Sequence, residues 1–593
     1  MHQNPFVSYL NRYTTVSPEH EAAFDEFISK TVPPSGQSLR LDTKIEKYVK
    51  NRFQKGQLPS IILTGNAGDG KTYLCRRIVE QFSGQAFQDW GEQPEQTVTG
   101  TNQVLRVIKD LSEVGEEQGV DILQALNTAF VQKDTSSAFL IAANEGRLRA
   151  LLSKTSLSEL AVEINKQLNE GPNLENPQLI VLNLNRVTTS SYLPQTIKWL
   201  TQPEQWDDCQ NCPAFNSCPI RFNASRMKES EIATRLKTLY QVLEYLNIHV
   251  TIRDMLIHLA YTVTGGLTCQ KVIDSHQKFD WDGYKYVYYE SVWGTQTSET
   301  FRRKVVVMSH LQQLDPGEQS LFEIDNFIVS DHPEGSSEYI TYQSLFGQPT
   351  VDLNKQRFLQ DRSSYLKGSD SPNKAGEEPA LLSWMPHCRR KFFFEAPKNE
   401  QAHRLIPLLF FTQYLELLDG KRNVLENAKK EMVLGLNRAF SRLYLTDASS
   451  LFVPSQYSNS VEQPVPIVRA KIPTDHIDLM VKDLTADAYD DDRRVLVLVI
   501  PPPPKVISNA VSFTINLMIF EYLVRLAQGG TYNVLSKECE LAVRQLKDQL
   551  VSKFTNNEAK GESQIEFFAV ERNRYVLRQI WLDEDGKISV SSQ

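Results

Sequence analysis

The stretch that decides the fold is residues 60–72, Ser-Ile-Ile-Leu-Thr-Gly-Asn-Ala-Gly-Asp-Gly-Lys-Thr. Its first five residues form a short apolar run that predicts a buried strand, and the next eight match the pattern GxxxxGK[ST]. Apolar residues at helical spacing follow from Tyr73 to Phe82. A glycine-rich loop between a strand and a helix directs backbone N–H groups and a helix N-terminus at one place, which favours a bound phosphate.

The residue types in this loop predict a nucleoside triphosphate as ligand, with ATP and Mg²⁺ expected. Lys71 would reach the β- and γ-phosphates, and the hydroxyl of Thr72 would bind Mg²⁺. A chance match is the alternative, and the required strand and helix make it less frequent. The predicted binding residues are Gly65, Asn66, Ala67, Gly68, Asp69, Gly70, Lys71 and Thr72.

Strands and helices alternate after the loop, which predicts an α/β domain with a mostly parallel, three-layer sheet. The further strands are expected at 104–108, 138–143 and 179–182, with a helix over 148–168. We divide the chain into an N-terminal helical segment, a phosphate-loop core, a cysteine-rich insert with a helical lid, an intermediate region and a C-terminal α+β domain. The corresponding ranges are 1–58, 59–200, 201–275, 276–380 and 381–593, and composition predicts a loop or linker over 361–380.

An acidic residue at the end of a neighbouring strand is needed to hold the Mg²⁺ shell. Asp110, after the strand at 104–108, is the candidate, and a solvated aspartate at a strand end is the alternative. Glu113 is the candidate for polarising the attacking water. Its position is unusual because the glutamate commonly follows the aspartate directly, where this chain has Leu111.

Two further segments resemble parts of AAA+ ATPases. Residues 139–148, Phe-Leu-Ile-Ala-Ala-Asn-Glu-Gly-Arg-Leu, resemble the sensor-1 strand, in which Asn144 would orient the attacking water. A rival interpretation makes this the Walker B strand, with Glu145 as base, and Asn144 is also a good turn residue. Residues 250–256 resemble the start of the sensor-2 lid helix, with Thr251 as its cap and Arg253 leaning towards the γ-phosphate. The alternative for Arg253 is a surface ion pair with an aspartate.

The arginine finger of AAA+ rings has no counterpart at its usual place, because residues 151–178 contain no arginine. Arg147, Arg149 and Arg186 are nearby in the sequence. Either the finger comes from another part of the chain or from a partner, or the protein is a nucleotide-gated switch.

Three cysteines lie within ten positions, in the pattern C-x2-C-x5-C formed by Cys209, Cys212 and Cys218. A structural zinc site needs four closed ligands. Cys269, after a double glycine, is the preferred fourth ligand, and His258 is the alternative. A redox pair is the rival hypothesis. The remaining cysteines, Cys75, Cys388 and Cys539, are expected to be unpaired thiols.

Composition limits the class of protein. The 593 residues carry a net charge of −8, which excludes a generally basic nucleic-acid coat protein. No apolar run approaches the ~18–20 residues of a membrane helix, the start resembles no signal peptide, and the odd cysteine count favours the cytoplasm. The basic aromatic segment 388–395 and the segment 435–440 are expected to pack inside the protein rather than to bind nucleic acid. We find no nuclease motif.

Taken together, the motifs resemble those of the DptF family, the ATPase-like components of bacterial DNA phosphorothioation-dependent restriction systems. These motifs are GNAGDGKT, KDLSE, LIAANEGRL, the cysteine insert, TIRD, RRKFFFE and GLNRAF. The resemblance implies an AAA+-like ATPase subunit that acts with other subunits of a restriction complex and meets DNA mainly through them. A nucleotide-gated assembly switch and an ATP-dependent remodelling protein unrelated to DNA are the alternatives. The sequence leaves open whether the chain forms a homo-oligomer.

Overall fold

The computed structural model describes most of the chain, and its helices and strands form two compact units. The first unit comprises Met1–Glu244 and Ile248–Pro407, and the second comprises Tyr245–Asn247, Leu408–Leu484 and Arg493–Gln593. The described residues are 3–14, 33–54, 59–87, 90, 93–100, 103–134, 136–155, 157–173, 178–278, 281–347, 355–368, 379–454, 467–483, 494–503, 508–530, 536–555, 564–572, 574–582 and 587–592.

The predicted start of the C-terminal domain at 381 is wrong. Residues 381–407 belong to the first unit, because the helix over 385–395 is buried there. Its Arg390 pairs with Glu290 and Asp315. The boundary therefore lies near residue 407.

The first unit is built on a five-stranded sheet. Its strands are β1 (Ser60–Thr64), β2 (Glu95–Thr99), β3 (Val104–Ile108), β4 (Ser137–Ala143) and β5 (Leu179–Asn183). Their order across the sheet is β2-β3-β4-β1-β5. Strands β3, β4, β1 and β5 are parallel, as predicted, whereas β2 forms an antiparallel hairpin with β3.

Helices cover both faces of this sheet and make it the middle of three layers. Side chains of β1 alternate between the faces, as a strand requires. Ile61 and Leu63 pack with Leu74, whereas Ile62 packs with Leu148 on the other face. Helices α2 (Lys44–Gln54) and α3 (Lys71–Ser83) contribute to the first of these cores. The second core contains side chains of α4 (Glu116–Gln132), α5 (Glu145–Ser153) and α6 (Ser158–Glu170).

The first unit has further α-helices, of which α1 precedes those already named and the rest follow them in the sequence. They are α1 (Pro5–Thr14), α7 (Leu193–Leu200), α8 (Pro219–Met227), α9 (Ser230–Tyr245), α10 (Ile252–Thr264), α11 (Cys269–Ser275), α12 (Tyr288–Ser291), α13 (Glu299–Lys304), α14 (Val306–Leu311), α15 (Phe322–Val329), α16 (Ser337–Phe346), α17 (Lys355–Leu366), α18 (Met385–Glu395) and α19 (Asn399–His403). The predicted loop over 361–380 is wrong at its start, because α17 continues to Leu366, and 369–378 lie outside the described residues.

The second unit combines helices with two antiparallel sheets, in keeping with the predicted α+β region. Its helices are α20 (Phe411–Leu418), α21 (Arg422–Ser441), α22 (Leu517–Ala527) and α23 (Lys537–Thr555). Its strands are β6 (Ser450–Pro454), β7 (Ile467–Pro473), β8 (Asp478–Asp483), β9 (Arg494–Ile500), β10 (Val511–Ile515), β11 (Gln564–Glu571), β12 (Arg574–Leu582) and β13 (Ile588–Ser592). One sheet has the order β10-β9-β8 and the other β13-β12-β11-β7-β6.

No helix among the described residues is long and apolar enough to cross a bilayer.

Candidate nucleotide site

The phosphate-loop sequence joins the buried strand β1 directly to the N-terminus of α3. Gly70 caps the helix with φ of 85°, and Gly68 has φ of 97°, a backbone region that favours glycine. The Lys71 ammonium lies over the loop, where Nζ donates to the carbonyl oxygens of Gly65 at 3.0 Å and Asn66 at 2.8 Å. Burial lowers the pKa of Lys71, while the nearby carboxylates of Asp69 and Asp110 oppose the shift. The loop therefore holds the half-buried ammonium of Lys71 at the N-terminus of α3.

Asp110 lies where the sequence analysis expects it, close to Lys71. It follows β3, and the carboxyl ends of the parallel strands meet at the edge of the sheet that carries the loop. Its Oδ1 accepts a hydrogen bond from the backbone N–H of Ser112 at 2.8 Å, which fixes the carboxylate in a turn. The carboxylate is near enough to Lys71 to affect the pKa of that side chain. This arrangement can hold a cation beside the loop.

Asn144 follows β4 at the same edge and caps α5. Its Oδ1 accepts a hydrogen bond from the backbone N–H of Gly146 at 2.9 Å. This contact is the one expected of a turn residue, and it leaves the amide N–H₂ group as the part of the side chain that would meet a water. The sensor role of Asn144 stays a prediction.

The two candidate bases make local ion pairs with basic residues. Glu113 is 58% exposed and lies 3.4 Å from Lys109. Glu145 lies 2.9 Å from Arg149 within the same helix. Neither contact indicates that its glutamate activates a water molecule.

Helix α10, the predicted lid helix, begins against the glycine-rich loop. Thr251 caps it through a capping box, as predicted: its Oγ1 accepts from the backbone N–H of Asp254 at 3.1 Å, and Asp254 Oδ2 accepts from the Thr251 N–H at 3.2 Å. The backbone N–H of Arg253 donates to the Gly68 carbonyl at 3.2 Å. A Cβ on Gly68 would lie 2.9 Å from Thr251 Oγ1. The close approach of loop and helix therefore needs glycine at this position.

The start of α10 places Arg253 beside Gly68 of the loop, and a contact of its side chain with a γ-phosphate stays a prediction. Burial lowers the pKa of its guanidinium, and the carboxylates of Asp254 and Asp69 oppose this shift. Asp254 belongs to the capping box and its carboxylate also acts on the Arg253 guanidinium, so the alternative of an Arg253–Asp254 pair stays open.

Two residues of the site escape the sequence analysis, namely Asn185 and His249. The Asp69 side chain is only 3% exposed, and its Oδ1 lies 2.8 Å from His249 Nε2. The backbone N–H of Asn66 donates to Asp69 Oδ2 at 2.5 Å and to Asn185 Oδ1 at 3.1 Å. The loop is therefore held from the turn after β5 and from the segment before α10. The only sequence signal for His249 is its place just before the lid motif, and Asn185 has none.

The arginines near the sensor-1 segment are engaged locally. Arg147 Nη2 donates to the Val114 carbonyl at 3.0 Å. Arg149 Nη1 donates to Asn165 Oδ1 at 2.5 Å, in addition to its pair with Glu145. Neither contact marks either residue as an arginine finger acting within this chain.

The cysteine-rich insert brings its three cysteines and Cys269 to the wall of one pocket. His258, the alternative ligand, is fully buried elsewhere, with Nδ1 2.7 Å from Tyr240 Oη and Nε2 3.0 Å from the Val292 carbonyl. Burial raises the pKa of Cys209, Cys269 and, to about 12, Cys218. The zinc hypothesis and the redox hypothesis both stay predictions. Across the described residues, no three His, Cys, Asp or Glu side chains are already assembled as a metal site.

The basic aromatic segment 388–395 is packed inside the first unit, as expected. Arg389 pairs with Asp325 at 2.7 Å, and the three phenylalanines of the segment are buried. Arg390 is almost fully buried between two carboxylates, and Lys391 lies 3.0 Å from Glu395. The cations of this helix are neutralised within the protein and form no basic surface.

The segment 435–440 is also structural. Arg438 is buried and donates to the Leu445 and Leu526 carbonyls at 2.7 Å each. Asn437 Nδ2 donates to the Ser450 carbonyl at 2.8 Å. These contacts join α21 to the strands and helix beside it, so packing accounts for the motif.

The chain matches no protein-family model, and no curated protein or solved structure is significantly similar to it.

Proposed function

We propose that this protein binds ATP with Mg²⁺ at residues 65–72 and is the ATPase subunit of a bacterial DNA-restriction complex of the DptF type. The observation that carries the nucleotide site is the geometry of Lys71. Its ammonium lies over a glycine-rich loop between a buried parallel strand and a helix N-terminus, hydrogen-bonded to two loop carbonyls. A triphosphate is the ligand that such a cation, together with loop N–H groups and a helix dipole, stabilises best.

The side chains around the loop supply the other functions that phosphoryl transfer needs. Lys71 would leave the loop carbonyls for the β- and γ-phosphates, and Thr72 and Asp110 would hold Mg²⁺, which neutralises phosphate charge when bound. Arg253 would contact the γ-phosphate from the start of α10, and Asn144 would orient water at the end of β4. The proximity of Lys71 to both Asp110 and Arg253 supports this assignment.

A nucleotide-gated switch with slow or absent hydrolysis is the second candidate function. The observation that favours it is the engagement of Glu113 with Lys109 and of Arg147 with a backbone carbonyl. A base and an arginine finger would then have to come from rearrangement or from a partner. Catalytic contacts often tighten only in the complex, so nucleotide turnover must be measured to separate the two functions.

The first test measures nucleotide binding. The full chain should bind an ATP analogue only weakly after Lys71→Ala, with a loss of at least tenfold, because the variant removes the phosphate cation but no buried core contact. Lys154→Ala is the matched control, since Lys154 is an exposed lysine of the same unit paired with Glu116. Equal affinity in wild type and Lys71→Ala would contradict the nucleotide site.

The second test separates the candidate functions. ATP turnover is measured for the chain alone, with unmodified DNA, and with the products of the genes that flank its own gene. Turnover stimulated by DNA and those products supports the restriction ATPase. Binding without turnover under all three conditions supports the switch. Turnover indifferent to both additions supports the alternative of a remodelling protein unrelated to DNA.

A further inference from the structure

We propose that Cys209, Cys212, Cys218 and Cys269 bind one structural zinc ion that fastens the N-terminal helix α1 to the cysteine-rich insert. The site is independent of the nucleotide loop and has no role in phosphoryl transfer. The four cysteines line one pocket of the first unit together with Asn4. Four thiolates are a ligand set that closes a tetrahedral zinc site completely.

The convergence of these cysteines is the main argument. Four of the seven cysteines in the chain line this pocket, although Cys269 is 51 residues beyond Cys218 in the sequence (269 − 218). Cys209 and Cys212 lie in one tight turn, in which the Cys212 N–H donates to the Cys209 carbonyl at 3.0 Å. Cys218 stands at the N-cap of α8, and Cys269 is the first residue of α11. Cysteines from three elements facing one pocket are what a structural metal site requires.

Two polar groups beside the sulfurs would stabilise thiolates in this pocket. Asn4 Nδ2 donates to Cys209 Sγ at 3.3 Å, and the Asn4 carbonyl lies 4.0 Å from Cys269 Sγ. Arg221 also lines the pocket, with its guanidinium stacked 3.5 Å from the centre of the Phe215 ring. An amide N–H donor and a fixed cation beside the sulfurs offset the net negative charge of a four-thiolate zinc centre. Groups that hydrogen-bond to metal ligands orient those ligands in metal sites.

The sulfurs are not yet gathered at metal-binding distance, since no three such side chains form an assembled group within the described residues. In a zinc site each sulfur lies about 2.3 Å from the ion. A cysteine has one side-chain torsion, and a change of rotamer moves its sulfur by about 3 Å without any backbone movement. Rotation of the thiols into the shared pocket is therefore the change that binding requires. His258 offers no competing ligand, because both of its ring nitrogens already have partners.

The expected effect of zinc is to hold α1 in place. Asn4 precedes α1 and donates to the Gln205 carbonyl at 2.9 Å as well as to Cys209. Phe6, the second residue of α1, packs edge-on against Trp199 and Trp206. The ion would lock the insert on which this helix rests, and its binding free energy would stabilise the folded unit.

The decisive measurement is metal content of the full-length chain, expressed with added zinc and purified without chelator. One zinc per chain is expected. Replacement by Co²⁺ should give intense thiolate-to-cobalt charge-transfer absorption and the visible bands of a tetrahedral four-thiolate site. Absence of zinc from folded protein, or a cobalt spectrum typical of water and nitrogen ligands, would overturn the proposal.

Single variants identify the ligands. Cys269→Ser should lower zinc content and change the cobalt spectrum to that of a three-thiolate site, and Cys209→Ser should do the same. Cys539→Ser is the matched control, because Cys539 is a buried thiol of the second unit outside the pocket. An unchanged cobalt spectrum in folded Cys269→Ser would exclude the proposed fourth ligand. If the variants do not fold, the spectrum of the wild-type chain still counts the thiolates and decides the proposal.

Discussion

Asp69 has a structural role in the glycine-rich loop that the consensus pattern of the motif does not specify. A carboxylate inside the proposed phosphate loop would oppose an anionic ligand, yet this one is buried and held by His249 and by the backbone N–H of Asn66. Its charge also favours the protonated forms of Lys71 and Arg253. Asp69 is therefore a structural anion that joins the loop to the segment before α10.

His258 leads to a prediction about stability and pH. Burial lowers its pKa to about 4, whereas an unfolded histidine titrates near 6.5. Below pH 6.5 His258 becomes protonated in the unfolded chain but stays neutral in the folded chain. The free energy of unfolding therefore falls as the pH drops from about 6.5 to 4. The largest loss from this group is about 3 kcal/mol. Its neutral form also suits its contacts, since Nε2–H donates to the Val292 carbonyl and Nδ1 accepts from Tyr240.

The measurement is the unfolding midpoint at pH 7.5, 6 and 5 for wild type and His258→Gln. The variant should be less stable at pH 7.5 but should lose less stability on acidification. His476→Gln, which changes an exposed histidine, serves as the control. The same pH dependence in wild type and His258→Gln would contradict the assignment.

At the scale of elements, the contact between the phosphate loop and α10 predicts different effects for two glycines. Gly68 and Gly84 both have positive φ, so alanine strains the backbone at either position by about 1–2 kcal/mol. A Cβ at Gly84 meets nothing within 4 Å, whereas one at Gly68 would also lie 3.0 Å from the Arg253 Cβ. Gly68→Ala should therefore separate α10 from the loop and reduce ATP affinity at least tenfold.

Gly84→Ala measures the backbone strain alone and should leave ATP affinity within about twofold of wild type. Binding is followed by titration calorimetry, and thermal unfolding reports the stability of each variant. Comparable ATP affinities in the two variants would show that contact with α10 does not support the loop.

The elements themselves could be predicted where a local pattern defines them. The strands of the first sheet and the helix after the loop follow from apolar runs and from the glycine motif. The helix expected over 148–168 is two helices, α5 and α6, because apolar spacing continues across the break at Lys154. The hairpin that β2 forms with β3 could not be predicted, because the side chains of β2 are partly buried or exposed and give no buried apolar run. His249 and Asn185 reach the loop through tertiary contacts that no sequence spacing encodes.

At the scale of the molecule, the sequence separates a phosphate-loop unit from a C-terminal region but places the boundary too early. The basic aromatic segment suggests a new domain by composition, whereas its arginines are buried against carboxylates far away in the sequence. The carboxylates that pair with Arg389 and Arg390 lie 64 to 100 residues away in the sequence, and composition cannot reveal such pairs. The same burial removes this Arg-Arg-Lys run from the surface, and this bears directly on DNA.

The last prediction is that the isolated chain binds DNA weakly. Affinity that is independent of sequence comes from lysines and arginines that displace phosphate counterions. This chain has a net charge of −8, and the cations of α18 are paired with Asp325, Glu290 and Glu395. We expect a Kd weaker than ~1 μM for a short unmodified duplex near physiological salt, with affinity falling steeply as salt increases. Fluorescence polarisation at several salt concentrations measures both quantities. Binding tighter than ~1 μM by the chain alone would show that it carries its own DNA surface, and partner subunits would then not be needed to supply that contact.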